Sequence, residues 1–209
     1  MFKRAAVAVI ILLTCLHTRA ETPASFTRSV DTILEKSLES SGAPSLAVAV
    51  VQNGEFVYAT AAGNASLSPK GAATRDTRYA VGSISKQFTA AALLLLQERG
   101  KISLDDKVSK YFPGLTRANE VTIRELLSHT SGYEDYAPQD YIIPAWTKPI
   151  APDMILDRWA KKPLNFDPGT RWQYSNTNYV LAAKIFEKAS GQNLMVKTFR
   201  LRISMNSPL

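Results

Sequence analysis

The sequence predicts an α+β fold, an antiparallel sheet packed on a helical subdomain, with only an N-terminal hairpin of that sheet within the 209 residues. Three observations lead there. An apolar, β-branched run at 45–51 is followed by Asn53-Gly54 and then Phe56-Val57-Tyr58. Asn-Gly supplies the positive φ angles that a two-residue hairpin turn requires. From residue 88 onward the pattern is almost wholly helical. An isolated hairpin cannot bury its own face, so it is expected to belong to a larger sheet. Nothing after Gly191 has the pattern of further strands, so sequence is expected to be missing at the C-terminus.

The helices are placed by their own chemistry. Residues 27–39 carry Val30, Ile33, Leu34 and Leu38 at helical spacing, and Ser40-Ser41-Gly42 ends the segment. Residues 88–97 include Ala90 to Leu96 without a polar side chain, which predicts a helix buried on every side, closed by Gly100. Thr122-Ile123-Arg124-Glu125 has the spacing of a capping box, where a threonine and a glutamate satisfy each other's backbone N–H groups at a helix start. Residues 133–152 read as an irregular, aromatic-rich loop, 153–161 as a short helix, and 178–190 as a last helix with Gly191 beyond it.

The first twenty residues have the layout of a removable secretory signal: Lys3 and Arg4, then an apolar stretch at 5–16, then small residues before a cut after Ala20. That stretch is too short to span a bilayer. The expected destination is periplasmic or secreted, and lipidation of Cys15 ranks second because Thr14 is a poor residue before a lipidated cysteine. Cys15 is the only cysteine, so the mature chain would form no disulfide. Loss of Lys3, Arg4 and Arg19 takes the net charge from +7 to +4, scattered and without a basic run. That argues against a nucleic-acid partner. Residues 21–209 suit one partial domain, with no internal repeat or linker and no stable membrane span after signal removal.

The chemistry concentrates in two places. Ser83 and Lys86 are three apart where the chain enters the apolar helix, and residues at that spacing share a helix face. A serine hydroxyl is a weak nucleophile until a neighbouring base takes its proton, and a lysine can do so only when neutral. Free N–H groups at a helix start also suit a developing oxyanion. Ser85 is a second possible nucleophile but has no lysine at the same offset. Downstream stand Tyr174, Ser175 and Asn176. Taken alone, that trio reads as a polar helix cap, with Asn176 or Thr177 satisfying free N–H groups.

In context, Gly82-Ser83-Ile84-Ser85-Lys86-Gln87-Phe88-Thr89 resembles the nucleophile motif of the serine β-lactamase and penicillin-binding-protein superfamily. Leu126-Leu127-Ser128-His129-Thr130-Ser131-Gly132 is similar to a loop signature of its class C-like esterase and carboxypeptidase branch. The stretch from Asp167 to Tyr179 is similar to the second catalytic motif of that branch. The resemblance covers roughly residues 27–195 in the right order. It implies a β-lactamase/transpeptidase-like fold, with Ser83 as the acylated nucleophile and Lys86 as its activating partner. It makes Tyr174 the phenol that relays protons, and Asn176 a hydrogen-bonding partner for the substrate's acyl side-chain amide. The family loop that holds His129 is structural, so His129 is expected to brace rather than react, although it is the only histidine outside the signal. One histidine and no cysteine cannot make a metal site, and no cofactor is expected.

The family closes its site with a strand bearing Lys-Thr/Ser-Gly or His-x-Gly, which supplies a cation and a second oxyanion donor. The nearest match, Lys197-Thr198-Phe199, has phenylalanine in the glycine place and comes too soon, although Met205-Asn206-Ser207-Pro208 resembles the family's next segment. The expectation is an exported serine hydrolase present as an incomplete copy, impaired in folding more than in catalysis. Its substrate would be a β-lactam, a D-alanyl peptide or a small ester, that is, a small molecule or a peptidoglycan-type compound. The alternative is a non-catalytic remnant that binds peptidoglycan fragments or a partner. Oligomeric state is left open. Tyr133, Tyr136, Tyr141 and Trp146 are candidates to line the cleft, with aromatic core or loop packing equally open.

Overall fold

Asn53 and Gly54 adopt φ angles of 52° and 81° and reverse the chain between β1 (Ser45–Gln52) and β2 (Glu55–Leu67). The computed structural model describes residues 23–137 and 149–194. The signal segment with Cys15, the aromatic residues Tyr141 and Trp146, and the stretches 197–199 and 205–208 lie outside the described residues. The chain divides after Ala80 into two compact units.

In the first unit, the hairpin extends further than the sequence predicts. β2 runs past the turn for 13 residues and pairs on its far side with a short β3 (Lys70–Ala72), so the sheet has three antiparallel strands in the order β1-β2-β3. Lys-Gly-Ala carries neither β-branched residues nor alternation, which is why β3 leaves no signal. Leu46, Val48 and Val50 alternate with more exposed neighbours along β1, the period-two pattern of a sheet with one covered face. α1 (Ala24–Ser41) lies against β1 and β2, and the Tyr58 hydroxyl donates to Asp31 Oδ1 at 2.6 Å. Val30, Leu34 and Leu38 turn inward, whereas Ile33 is 64% exposed. At about 100° per residue Ile33 sits a quarter-turn around from Leu34, at the edge of the stripe. Gly63 is required by close approach: at φ 86°, a Cβ there would meet Pro44 O at 2.3 Å.

In the second unit, α2 (Ser85–Glu98) and α5 (Asn176–Ser190) pack together, and α3 (Ile123–Leu127) packs on α5. Leu93, Ile123, Leu126, Leu181 and Ile185 are fully buried between them. α2 departs from the all-round burial predicted for it. Thr89, Ala92, Leu93 and Leu96 turn inward at helical spacing, but Phe88 and Leu94 are 51% and 49% exposed. An apolar sequence therefore makes a helix whose core contact in this unit is one-sided. Gly100, at φ 66°, ends it as predicted.

The capping box at the start of α3 forms, with Thr122 N donating to Glu125 Oε2 at 2.7 Å and Glu125 N to Thr122 Oγ1 at 3.2 Å. The short helix predicted at 153–161 is one α-turn, α4 (Pro152–Ile155), widening into a π-helical turn at Leu156–Ala160. α5 begins two residues before its predicted start, and Gly191 closes it at φ 68°. Tyr133 belongs to the core rather than a cleft: it is 2% exposed, with its hydroxyl donating to Thr116 O at 3.0 Å. Tyr136 is half-buried and meets Trp159 edge-on, with ring centres 6.0 Å apart. No helix among the described residues is long and apolar enough to cross a membrane.

Candidate active site

Three elements of the second unit carry the residues that the sequence singles out. Gly82, at φ 52°, starts a single 3-10 turn (Gly82–Ile84) that leads into α2, so Ser83 stands just ahead of the helix and Lys86 is its second residue. Tyr174 lies just before α5, ahead of the extended Ser175, and Asn176 is the first residue of α5.

The structure brings all four together. Ser83 Oγ is 2.7 Å from Tyr174 Oη, and Lys86 Nζ donates to Ser83 Oγ at 3.0 Å. Lys86 Nζ also donates to Asn176 Oδ1 at 2.7 Å, and Tyr174 Oη is 3.4 Å from that same oxygen. The ammonium stands 5.0 Å from the Tyr174 ring centre and 5.6 Å from that of Tyr179, within reach of a cation–π attraction. Ser83 is exposed while Lys86, Tyr174 and Asn176 are half-buried, so the hydroxyl is open to an incoming carbonyl and its partners are held. Ser85 turns away, its hydroxyl donating back to Gly82 O at 2.7 Å.

The segment around His129 holds the tyrosine in place. His129 takes a left-handed φ of 60° directly after α3. Its backbone O accepts from Gln173 N at 2.9 Å, and its Nδ1 accepts from Ser175 N at 3.1 Å. Those two bonds bracket Tyr174. The imidazole faces the Tyr174 ring at 4.6 Å and the Tyr179 ring at 5.3 Å, with the 66%-exposed Trp172 edge-on at 6.0 Å. Burial, reinforced by the Lys86 charge, holds the His129 pKa below its usual value, against an opposing pull from Asp135. An Nδ1 that accepts a bond is the neutral ring with its proton on Nε2.

A pH effect follows. Below about 6.5, the unfolded histidine takes up a proton that the folded ring resists, so stability falls as the pH drops from there toward the lower folded pKa. Melting temperatures at pH 7 and pH 5 are expected to differ more for the native chain than for His129→Asn; equal slopes would place the acid sensitivity elsewhere.

Asp135 is a contributor the sequence did not reveal. Its Oδ1 accepts from Asn176 N at 2.8 Å and its Oδ2 from Asn176 Nδ2 at 3.1 Å, from 41 positions away. Neither Asn176 nor Thr177 caps α5 in the way the polar-cap reading has it. The N-cap residue is Ser175, which makes no side-chain cap bond, and Asp135 serves instead. Nothing local marks that role. Both ends of the Asn176 amide are engaged within the protein, since Nδ2 also donates to Ala137 O at 3.3 Å. Among the described residues, no group of three or more His, Cys, Asp or Glu is placed to hold a metal ion.

A serine hydroxyl held between an amine and a phenol at the mouth of a helix is what acyl transfer at a carbonyl needs, and residues 30–197 match the Beta-lactamase family. The chain belongs to the β-lactamase family. Among curated relatives, Penicillin-binding protein 4* of Bacillus subtilis (strain 168) is 37% identical over 150 residues, covering 70% of this chain and 33% of that protein. Among solved structures, the D-amino acid amidase of Ochrobactrum anthropi SV3 superposes with a TM-score of 0.74 at 27% identity, over 86% of this chain and 51% of that one. A class C β-lactamase superposes with a TM-score of 0.67 at 28% identity, over 81% and 46%. The β-lactamase/transpeptidase-like fold is therefore established. The chain spans a third of the length of the curated relative and about half of the solved ones.

Proposed function

We propose that the protein is a serine hydrolase working through an acyl-enzyme, with Ser83 as nucleophile. The observation that carries this reading is the placement of Ser83 Oγ within hydrogen-bond distance of both Lys86 Nζ and Tyr174 Oη. In the first step Ser83 Oγ bonds to the carbonyl carbon of an amide or ester while its proton passes to the Lys86 amine in its neutral form or to the Tyr174 phenolate. The tetrahedral oxyanion then collapses, the C–N or C–O bond breaks, and the proton moves to the leaving group through the Tyr174 hydroxyl. In the second step water attacks the acyl carbon and gives a proton to the same pair, the bond from the acyl carbon to Ser83 Oγ breaks, and that proton returns to Oγ as the acid leaves. Asn176 anchors Lys86; the family resemblance makes its amide the group that meets a substrate's acyl side chain, which requires it to exchange one of its bonds within the protein.

The relatives are a penicillin-binding protein, a D-amino acid amidase and a class C β-lactamase. They support a β-lactam or a D-amino-acid amide or peptide as substrate class, and the sequence resemblance adds a small ester. The test is intact mass after incubation with a penicillin or a fluorophosphonate. The native chain is expected to gain one covalent adduct and Ser83→Ala none. A folded, unmodified native chain would reject the reading and leave one in which the protein only binds peptidoglycan fragments or a partner.

We also propose export, on the basic-then-apolar layout of residues 1–20. The protein recovered from a bacterial host is expected to begin at Glu21; a chain retaining Met1 would contradict this.

A further inference from the structure

We infer that Asp135 is a positioning residue for the Ser83–Lys86–Tyr174 cluster, acting by fixing which end of the Asn176 amide faces Lys86; this rests on the hydrolase reading above. An amide side chain has two ends of nearly equal shape and opposite hydrogen-bonding character. Lys86 Nζ donates, so it needs the oxygen, and Asn176 Oδ1 accepts from it at 2.7 Å. On the other side, Asp135 Oδ2 and Ala137 O both accept from Asn176 Nδ2, at 3.1 and 3.3 Å. Turning the amide over would set its NH₂ against the amine and its oxygen against a carboxylate and a carbonyl. The two acceptors thus hold one orientation, the one that leaves Oδ1 for Lys86 and within 3.4 Å of Tyr174 Oη.

The carboxylate is itself held. Its Oδ1 accepts from Asn176 N and from Ala137 N, at 2.8 and 3.1 Å. Tyr136 N donates to Thr177 Oγ1 at 3.1 Å, and Thr177 Oγ1 donates to Glu134 O at 2.6 Å. Glu134 is paired with Lys162 at 2.8 Å. Residues 134–137 are therefore stitched to the first turn of α5 on both sides of Asp135. The negative charge also lies where a helix N-terminus favours an anion. Asp135 touches none of the reacting atoms. It acts through Asn176.

The test is Asp135→Asn in the full chain, with the rate of fluorophosphonate acylation as one readout. The variant keeps an oxygen for the α5 N–H but turns an NH₂ toward Asn176 Nδ2. Acylation at saturating probe is expected to fall by about tenfold or more. In an Asn176→Ala background, the same substitution is expected to change the rate by less than about twofold, because the effect travels through that amide. Equal slowing in both backgrounds would mean general loosening of the loop and would overturn the inference. The second readout is the side-chain amide signal of Asn176 in ¹⁵N NMR, identified by its loss in Asn176→Ala. It is expected to shift in Asp135→Asn and in Lys86→Met; an unmoved signal in Asp135→Asn overturns the inference. If the native chain forms no adduct, the hydrolase reading fails while the amide signal still decides the role of Asp135.

Discussion

Replacing Lys86 with methionine is expected to slow acylation of Ser83 by about 10³-fold, the middle of the range for losing a positioned proton acceptor. Methionine keeps most of the apolar stem beside the Tyr174 and Tyr179 rings, so folding is expected to persist. What disappears is the only nitrogen bonded both to Ser83 Oγ and to Asn176 Oδ1 among the described residues. Adduct formation followed by intact mass measures the rate, and far-ultraviolet circular dichroism checks the fold. In a Lys86→Ala chain, added small primary amines are expected to restore part of the rate by occupying the vacated space. A methionine variant that acylates at the native rate would remove Lys86 from the chemistry and leave Tyr174 as the acceptor.

Substituting alanine for Gly132 is expected to destabilise the second unit by roughly 2–5 kcal/mol. Gly132 has a φ of 85°, and a Cβ there would meet Phe166 O at 2.4 Å and Leu164 Cβ at 3.2 Å. Backbone strain and overpacking therefore add. Gly114 is the matched control: it has no positive φ and nothing within 4 Å of an added Cβ. Gly114→Ala is expected to stay within about 0.5 kcal/mol of native. Urea unfolding of the two variants measures the difference, and comparable midpoints would show that the 164–166 segment can give way.

What was legible in the sequence was what short stretches decide by themselves. Asn53-Gly54 dictates its turn, Thr122 and Glu125 dictate the start of α3, and Gly100 and Gly191 dictate two helix ends. Ser83 and Lys86 are three apart, so their meeting follows from helix geometry. Tyr174 is 91 positions from Ser83, and nothing local says that they touch; only the resemblance of their flanking motifs did. The failures at helix faces and at Asp135 share one cause. Whether Leu94 or Ile33 is covered depends on which neighbour lies on that side of its helix, and periodicity is silent on that. Asp135 is one acid among many in the sequence, and its link to Asn176 exists only once α5 and residues 134–137 have been folded together.

The backbone bonds around His129 to Gly132 have a further consequence. Gly132 O accepts from Asn165 N at 2.9 Å, Thr130 O from Gly169 N at 2.8 Å, and His129 O from Gln173 N at 2.9 Å. Those three rungs clasp the base of a long excursion, so the chain that leaves at 132 is fastened again at 165. Closing a longer loop costs little extra once its ends are pinned. The chain just ahead of Tyr174 is thus fastened through backbone groups at 165, 169 and 173, which sets the Tyr174 phenol by main-chain bonds as well as by side chains.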